Sequence, residues 1–379
     1  MNPLITLVVG ARPNFMKIAP LMHAFAARAP DYELCLVHTG QHYDDAMSGA
    51  FFTQLGIPAA DVHLGVGSGT HAEQVGRTMI KFEKVLRARR PTWVVVVGDV
   101  NATCACAITA KQEQVRLAHV EAGLRSFDWS MPEEVNRVVT DRLADFLFTP
   151  DAIADANLEK EGVAADRIHR VGNIMIDTLE SQREAAAALD PSRIVADSLV
   201  APRGKVELTD KGYALLTMHR PGNVDTAEVL AALVGYIVDE LSGECPVVWP
   251  IHPRTQKNLE AAGLWERVVG SAQVLVTRPL DYRSMLRLNQ GARVCLTDSG
   301  GLQEECCVLG TPCLTMRDNT ERPITLVAHG GCSLLVGNDV GRIRAAMRDA
   351  GALSCTTSRP PLWDGQTANR IVDAFVEAG

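Results

Sequence analysis

The residues of this chain best suited to chemistry lie between positions 116 and 137. Two glutamates, Glu121 and Glu133, flank a glycine turn at Gly123, and the segment is typical of a strand end, a loop and a helix start. Open α/β sheets bind their ligands at the carboxyl ends of strands. The two carboxylates could therefore supply an acid and a base to one substrate, although most glutamates are simply solvated surface charges.

A third carboxylate, Asp99, follows the β-branched run 93–97, which is typical of a buried parallel strand, and precedes a helix expected over 103–112. An aspartate at this point can also be a helix N-cap. Several carboxylates in one crevice perturb one another's protonation, which provides an acid and a base at neutral pH. The sequence shows no Ser-His-Asp order and no nucleophile elbow, which argues against acyl transfer.

A candidate anion site follows a second strand in the segment TDSGGLQEE at 297–305. Small residues before a helix leave backbone N–H groups open to an anion, and the helix dipole favours negative charge there. We expect a diphosphate on Ser299, Gly300 and Gly301, and a ribose diol on Glu305. The alternative is a plain N-capped turn.

Basic side chains follow the ends of several predicted strands in this otherwise acidic chain. In combination they suit a phosphorylated ligand, whereas each one alone is more often a surface ion pair. They are Arg12, Lys17, His219, Arg220, Arg254 and Arg322.

The glycine-rich segment 65–69 reads GxGxG and does not meet the dinucleotide fingerprint, so we interpret it as a flexible or capping loop. The ten cysteines form no CxxC pair and no zinc-like spacing, and most lie in apolar or helical settings. We therefore expect no cofactor, no metal and a reduced, cytoplasmic compartment.

Bulk properties exclude several classes of protein. A net charge of −8 argues against nucleic acid as the main partner. No apolar run reaches the length of a membrane span, and the N-terminus lacks the basic region of a signal peptide.

Strand and helix patterns alternate through both halves of the 379 residues. The first half opens with a strand at 4–9, a turn at 11–14 and a helix at 16–28. Composition changes at about 185–210, and a new first strand follows at 213–218. We predict two doubly wound α/β domains, 1–177 and 178–362, and an amphipathic C-terminal helix within 363–379.

Ten motifs, spread in family order from residue 10 to residue 323, resemble the non-hydrolysing UDP-N-acetylglucosamine 2-epimerase family. The motifs are GARPNFMKIAPL (10–21), HTGQHYD (38–44), GDVNAT (98–103), HVEAGLRSFD (119–128), PEEVNR (132–137), VGNIMID (171–177), TMHRPGN (217–223), PIHPRT (250–255), TDSGGLQEE (297–305) and MRDNTERP (316–323). The long PEEVNR and SGGLQEE blocks are the most specific.

The resemblance implies a GT-B-type fold of two Rossmann-like domains with the active site in the cleft between them. It places the catalytic carboxylates in the first domain and UDP binding in the second, with the C-terminal helix packing back on the first. The family interconverts UDP-GlcNAc and UDP-ManNAc without a redox cofactor. UDP is eliminated to leave 2-acetamidoglucal and is then re-added, with the proton returning to the other face of carbon 2.

Roles for single residues also follow from the resemblance. The catalytic positions of the family match Asp99, Glu121, Glu133, His219, Lys17 and Arg12. The UDP-binding positions match Arg12, His219, Ser299, Gly300, Gly301, Glu305 and Arg322. Gln41 and His42 fall in a segment that helps some bacterial members bind a second, activating UDP-GlcNAc. A homodimer rests on the resemblance alone.

Departures from the best-known members leave alternatives open. Asn14-Phe15 and Pro221-Gly222 replace Glu-Ala-like and Arg-Glu-like pairs, and Ile324 replaces a glutamate. The alternatives are a hydrolysing epimerase that releases ManNAc and UDP, an epimerase of a modified UDP-HexNAc, a GT-B glycosyltransferase, and a non-catalytic UDP-sugar sensor. Retention of all three carboxylates argues against the sensor.

Overall fold

The structure is a computed structural model that describes residues 2–378 except 11, 41–55, 203 and 350–358, and leaves undescribed the side chains of residues 12 and 13. The chain forms two compact units. The first comprises residues 1–178 and 361–379, and the second comprises residues 179–360.

A seven-stranded parallel sheet forms the centre of the first unit, in the order β3-β2-β1-β4-β5-β6-β7. Its strands are β1 (Leu4–Val9), β2 (Glu33–His38), β3 (Val62–His63), β4 (Trp93–Val97), β5 (Arg116–Val120), β6 (Phe146–Thr149) and β7 (Ile168–Arg170). The strand order reverses between β1 and β4. Ligands bind outside the carboxyl ends of the strands at such a reversal.

Helices connect these parallel strands. They are Arg12–Arg28, His71–Arg89, Asn101–Gln112, Pro132–Leu143 and Ala152–Lys160, with a 3₁₀ turn at Ala165–Arg167. The helix Ile174–Ala187 follows β7 and contains the boundary between the two units, which falls after Thr178. Local sequence sets several of their starts. Thr70 and Glu73 form a reciprocal capping box, Asp151 caps the helix that follows it, and Pro132 occupies a first turn, where its missing N–H costs nothing.

The second unit repeats this architecture with six parallel strands in the order β10-β9-β8-β11-β12-β13. They are β8 (Ala214–Thr217), β9 (Val247–Pro250), β10 (Val274–Thr277), β11 (Val294–Thr297), β12 (Cys313–Thr315) and β13 (Ser333–Leu335). Here the order reverses between β8 and β11. Both sheets are covered by helices, and their strands are almost continuously apolar.

The helices of the second unit include one π-helical turn, Ile237–Leu241, and two 3₁₀ turns, Pro323–Thr325 and Val327–His329. The α-helices are Pro191–Ser198, Pro221–Val224, Ala227–Tyr236, Ser242–Glu244, Pro253–Ala261, Trp265–Gly270, Tyr282–Gly291, Gly300–Leu309 and Val340–Asp349. Within the described residues, no helix is long and apolar enough to cross a lipid bilayer.

The C-terminal helix Thr367–Ala378 belongs to the first unit, where it contacts the helix Arg12–Arg28. The carboxylate of Asp177 accepts hydrogen bonds from the backbone N–H groups of Thr367 (3.1 Å) and Ala368 (2.7 Å). The Phe375 ring packs 5.1 Å from Trp93, measured between ring centroids. The last helix thus covers one face of the first sheet.

The predicted fold class, two Rossmann-like doubly wound domains, is confirmed. Three local predictions were wrong or incomplete. The first helix begins at Arg12 instead of following a turn at 11–14, since Pro13 suits a first helical turn. Asp99 is not a helix cap, because the helix begins at Asn101 after Val100. Strand β13 was not predicted, as its three residues give too short a pattern.

Candidate active site

The carboxyl ends of β1, β4 and β5 bring a buried cation and a buried carboxylate together in the first unit. Lys17 forms an ion pair with Glu121, and both side chains are less than a tenth exposed. Glu121 follows β5 directly and has a left-handed backbone conformation, with φ at 71°. A bulky residue adopts this conformation only where its surroundings enforce it, and such strain is typical of functional sites.

Gly98, at the end of β4, makes room for this ion pair. Its φ is +66°, and a Cβ atom there would lie 2.8 Å from the Lys17 Nζ and 3.3 Å from a Glu121 carboxylate oxygen. Asn14 supports the same region, because its amide accepts a hydrogen bond from the Gly10 N–H (3.0 Å) and donates one to the Val97 carbonyl (3.1 Å). Asn14 therefore ties the end of β1 to the end of β4.

A buried ionic network lies beneath the turn that follows Glu121. His119 contacts the Asp141 carboxylate (2.6 Å) through Nδ1 and the Gly98 carbonyl (2.9 Å) through Nε2. Arg125 donates to the other Asp141 oxygen (2.6 Å), which also accepts from the Gly123 N–H (3.0 Å). Both ring nitrogens of the buried His119 therefore have a partner.

The electrostatic balance of this network favours an ionised Asp141. Burial alone would raise the pKa of the Asp141 carboxyl, but the charges and hydrogen bonds of His119 and Arg125 outweigh burial, and the pKa lies below its ordinary range. Arg125 also forms a two-point ion pair with Glu161, at 2.7 and 2.8 Å. Sequence analysis missed Asp141, Arg125 and Glu161, although Arg125 lies inside one of the ten motifs.

Asp99 has a partly exposed side chain, whose Oδ2 lies 3.3 Å from Nη1 of the buried Arg137. The side-chain amide of Asn136 donates to the Asp99 main-chain carbonyl at 2.9 Å. The helix Pro132–Leu143, which carries the PEEVNR motif, therefore holds Asp99 through both its backbone and its side chain.

Glu133 and Glu134 are adjacent in sequence but have different surroundings. Glu133 is exposed in the first turn of its helix, where the helix dipole favours a negative charge. Glu134 is buried and accepts hydrogen bonds from the Ser126 N–H and hydroxyl, both 3.0 Å, and from the Phe127 N–H, 2.9 Å. Glu134 fixes the loop, and Glu133 is available to a ligand.

The second unit places His219 and Asp298 together where its strand order reverses. His219 follows β8, and its Nδ1 lies 2.9 Å from the Oδ1 of Asp298, which follows β11. The other Asp298 oxygen accepts the backbone N–H groups of His219 and Arg220, both at 2.8 Å, and the side-chain amide of Asn223 at 3.0 Å. Asp298 thus orients the imidazole and leaves Nε2 for another partner.

Asp298 is fully buried. Its burial would raise the pKa of the carboxyl, but the contacts with His219 and the two backbone N–H groups outweigh burial and lower the pKa. His252 lies next to His219, with ring centroids 5.4 Å apart. Burial and the neighbouring His219 lower the pKa of His252. The ionised Asp298 therefore places a buried negative charge beside the His219 imidazole.

The helix Gly300–Leu309 begins directly after Ser299, as predicted for an anion site. Gly300 has no room for a side chain, because a Cβ atom there would lie 2.6 Å from Nη1 of Arg322. The Ser299 N–H donates to the Thr297 hydroxyl at 3.0 Å, and no side-chain bond from Ser299 caps the helix. The backbone of Ser299, Gly300 and Gly301 thus forms a helix N-terminus beside an arginine.

Arg322 is buried in a network of alternating charges. Its Nε donates to Glu304 (2.6 Å), its Nη1 pairs with Glu321, and Arg317 donates to the second oxygen of Glu321 (2.7 Å). The predicted UDP-binding arginine is therefore held by the carboxylates of Glu304 and Glu321. Arg254, by contrast, forms an exposed ion pair with Asp225.

Glu305, the predicted ribose ligand, is buried beside Tyr282 and Asn289 of the neighbouring helix Tyr282–Gly291. Burial raises the pKa of Glu305 to about 7, the Glu304 charge adds to the rise, and the contacts with Tyr282 and Asn289 oppose it. The pKa of the Glu305 carboxyl therefore lies close to neutral pH.

Three predicted site residues have side chains that the structure does not describe. Gln41 and His42 lie outside the described residues, and so does the side chain of Arg12, whose backbone begins the first helix. Among the described residues, no group of three or more His, Cys, Asp or Glu side chains could hold a metal ion.

We predict that Gly98→Ala lowers the denaturant midpoint of unfolding more than Gly162→Ala. Both glycines have positive φ, so both variants lose about 1 kcal/mol to backbone strain. Only at Gly98 does the added methyl also meet the Lys17–Glu121 pair, whereas nothing lies within 4 Å at Gly162. Equal shifts of the two midpoints in urea would contradict the packing described for Gly98.

We predict a pH-dependent gain of stability in Glu305→Gln without ligand. Because the pKa of Glu305 is raised from 4.5 to about 7 on folding, ionising it opposes folding as pH rises through this range. The rise corresponds to a limit of about 3 kcal/mol. The free energy of unfolding of the variant, relative to the parent, should increase between pH 5 and pH 8. The exposed Glu184→Gln should show no such trend. If the difference in unfolding free energy between Glu305→Gln and the parent did not change with pH, the raised pKa of Glu305 would be refuted.

Comparisons with known proteins agree with one another. The model of the family described as UDP-N-acetylglucosamine 2-epimerase matches residues 25–376. The chain is 37% identical over 369 residues to the UDP-N-acetylglucosamine 2-epimerase of Methanocaldococcus jannaschii, covering 97% of each protein. It is also 37% identical over 371 residues to the UDP-2,3-diacetamido-2,3-dideoxy-D-glucuronate 2-epimerase of Pseudomonas aeruginosa, covering 97% of this chain and 98% of the relative.

Among solved structures, the chain is similar to the Methanocaldococcus jannaschii UDP-GlcNAc 2-epimerase in complex with UDP-GlcNAc and UDP. The TM-score is 0.88, at 36% sequence identity and with 99% of each chain covered. The resemblance drawn from the ten motifs is therefore confirmed, and the chain belongs to the UDP-N-acetylglucosamine 2-epimerase family of isomerases.

Proposed function

We propose that the protein interconverts UDP-GlcNAc and UDP-ManNAc by eliminating UDP to 2-acetamidoglucal and adding it back. The observation that carries this proposal is that candidate proton-transfer carboxylates and a candidate diphosphate site each occur at, or one strand from, the point where the strand order of a sheet reverses. Asp99 and Glu121 follow β4 and β5, whereas His219 and Ser299 follow β8 and β11. Relatives of the same length with this name support it.

The first step of the proposed reaction breaks the bond between carbon 1 and the diphosphate oxygen. The electron pair leaves with UDP, so negative charge develops on the diphosphate and must be stabilised. The backbone N–H groups at the start of the helix Gly300–Leu309 and the His219 imidazole are assigned this task. Arg12 and Arg322 are assigned to the same group of cations.

The second step removes the proton from carbon 2 and forms the double bond between carbons 1 and 2. The proton on carbon 2 is weakly acidic, so cleavage of the glycosidic bond has to lead. We assign the proton transfers on the two faces of the sugar to Asp99, Glu121 and Glu133. Lys17 holds Glu121 in place through their ion pair. Returning the proton to the opposite face, followed by re-addition of UDP, completes the epimerisation.

The uridine end is assigned to the second unit. Glu305 would accept hydrogen bonds from the ribose diol, as the resemblance implies, and its burial beside Tyr282 means that UDP binding includes local rearrangement or a change of its proton. Gln41 and His42 remain candidates for a second, activating UDP-sugar. We further propose a homodimer, as the resemblance implies. We also propose a reducing, cytoplasmic compartment, since the nine cysteines of the described part are buried and form no disulfide bond.

A modified sugar is the second candidate substrate. The Pseudomonas aeruginosa relative, whose name specifies a diacetamido glucuronate, is as similar to this chain as the Methanocaldococcus jannaschii enzyme is. Identity alone therefore does not separate the two substrates. A hydrolysing epimerase uses the same elimination, with water in place of re-added UDP.

Proton NMR in heavy water tests the proposal directly. Purified protein with UDP-GlcNAc and no added cofactor should form UDP-ManNAc that carries deuterium at carbon 2. Free ManNAc together with UDP would instead assign the chain to the hydrolysing class. Turnover of only the UDP-diacetamido uronic acid in a parallel tube would establish the modified substrate.

We predict that Glu121→Gln and Glu133→Gln each lower turnover by orders of magnitude while the dissociation constant of UDP changes little. An amide cannot exchange the carbon 2 proton, whereas the proposed diphosphate ligands are untouched. Glu184→Gln, an exposed change of the same kind, serves as the control. Weak UDP binding with intact turnover at saturation would refute the roles assigned to the two glutamates.

A further inference from the structure

Arg137 is a buried cation that contacts the carboxylates of Asp99 and Glu134 in the first unit. Its side chain is 2% exposed, with Nη1 3.3 Å from the Asp99 Oδ2 and Nε 3.3 Å from the Glu134 Oε2. Neither Nε, whose contact with Glu134 is an ion pair without hydrogen-bond geometry, nor the third nitrogen, Nη2, has a hydrogen-bond partner among the described residues.

Each carboxylate that contacts Arg137 controls a different part of the candidate site. Asp99 is itself one of the three proposed proton-transfer groups. Glu134 holds Ser126 and Phe127 of the loop that begins at Glu121, and it is the neighbour of Glu133. A single guanidinium therefore contacts Asp99 directly and is connected, through Glu134, to the loop that begins at Glu121.

The contacts of Arg137 are incomplete for a purely structural ion pair. Charge-assisted N–H···O bonds are usually about 2.7–2.9 Å long, and arginine commonly binds a carboxylate through two nitrogens. The contact with Asp99 is longer and uses one nitrogen. Buried polar groups normally have partners, so an unused Nη2 beside a partly exposed carboxylate requires an explanation. Catalytic hydrogen bonds often tighten only when substrate is bound.

We propose that Arg137 is a positioning residue that closes onto Asp99 with both of its terminal nitrogens when the UDP-sugar binds. This inference rests on the proposed function. This two-nitrogen contact fixes the Asp99 carboxylate relative to the loop of Glu121. A proton can then be removed from one face of carbon 2 and another proton delivered to the opposite face. Asn136 limits the motion of Asp99 by holding its main-chain carbonyl.

The proposal has a kinetic signature that a merely structural role lacks. With Asp99 mispositioned, proton transfer remains competent on only one face of the sugar. Elimination from one epimer then returns the same epimer with deuterium at carbon 2, or releases free 2-acetamidoglucal and UDP. The ratio of these events to epimerisation should rise. General loss of structure lowers all of the rates together and leaves the ratio unchanged.

The test compares Arg137→Lys with Arg167→Lys. Arg167 donates to the carbonyls of Ala144 (3.1 Å) and Arg142 (3.3 Å) at the other end of the same helix, so the control makes the same change away from Asp99. Proton NMR in heavy water, started from each epimer, gives exchange, epimerisation and glycal release in one experiment. Calorimetric titration with UDP and urea unfolding monitor binding and fold.

We expect Arg137→Lys to lower kcat for epimerisation tenfold to a hundredfold, since an ångström of misplacement costs about this much. The UDP dissociation constant should stay within twofold, and the ratio of exchange plus glycal release to epimerisation should rise from one of the two epimers. Glu134→Gln, which leaves Arg137 in place with a weaker partner, should shift the ratio in the same direction. Arg167→Lys should leave the ratio unchanged.

Two results would overturn the inference. One is an unchanged ratio and rate in Arg137→Lys, and the other is an equal loss of all rates with a lowered unfolding midpoint. The parent protein is measured first, and its failure to epimerise or exchange would remove the proposed function itself. A competent parent with an unaltered Arg137→Lys would remove only the role of Arg137.

Discussion

The candidate active site of the first unit depends on the buried contacts of Asp141. This carboxylate binds His119 of β5, Arg125 and the Gly123 N–H. It therefore fixes the turn that contains Glu121 from below. Glu121 has a left-handed backbone conformation, which for a glutamate is unfavourable without such support. Removing one partner of a buried ion pair typically costs about 3–5 kcal/mol, so this network keeps a strained turn in a single conformation.

In each unit, a side chain connects the ends of the two strands between which the strand order reverses, but the side chain differs between the units. Each sheet is parallel, and each reverses its strand order once, so the strands on either side of the reversal end next to an open space. In the first unit Asn14 joins the two strand ends, and in the second Asp298 does so by holding His219. Asn14 is an uncharged side chain beside a buried ion pair, whereas Asp298 supplies a buried negative charge beside an imidazole.

The sequence predicted the strand ends of both sheets, because buried parallel strands appear as continuous apolar runs that stop at polar residues. The same pattern selected Asp99, Glu121, His219 and Ser299 as candidates. It did not find Asp141, since an aspartate inside a helical pattern resembles a surface residue until tertiary packing buries it. Arg137 and Asp298 were inside recognised motifs, but their roles depend on distances that no linear pattern contains. The start of the first helix was missed because Gly10 and Pro13 resemble a turn.

The charges around the helix Gly300–Leu309 indicate how a diphosphate would be bound there. Arg317 and Arg322 are balanced by Glu304 and Glu321, so this cluster has no net charge, although it contains two arginines. In the proposed diphosphate site, the attraction would then come mainly from backbone N–H groups at the helix start, from His219 and from the assigned cation Arg12. Such a site binds the anion by geometry more than by net charge. In the proposed reaction, such fixed dipoles would stabilise the negative charge that develops on the leaving UDP.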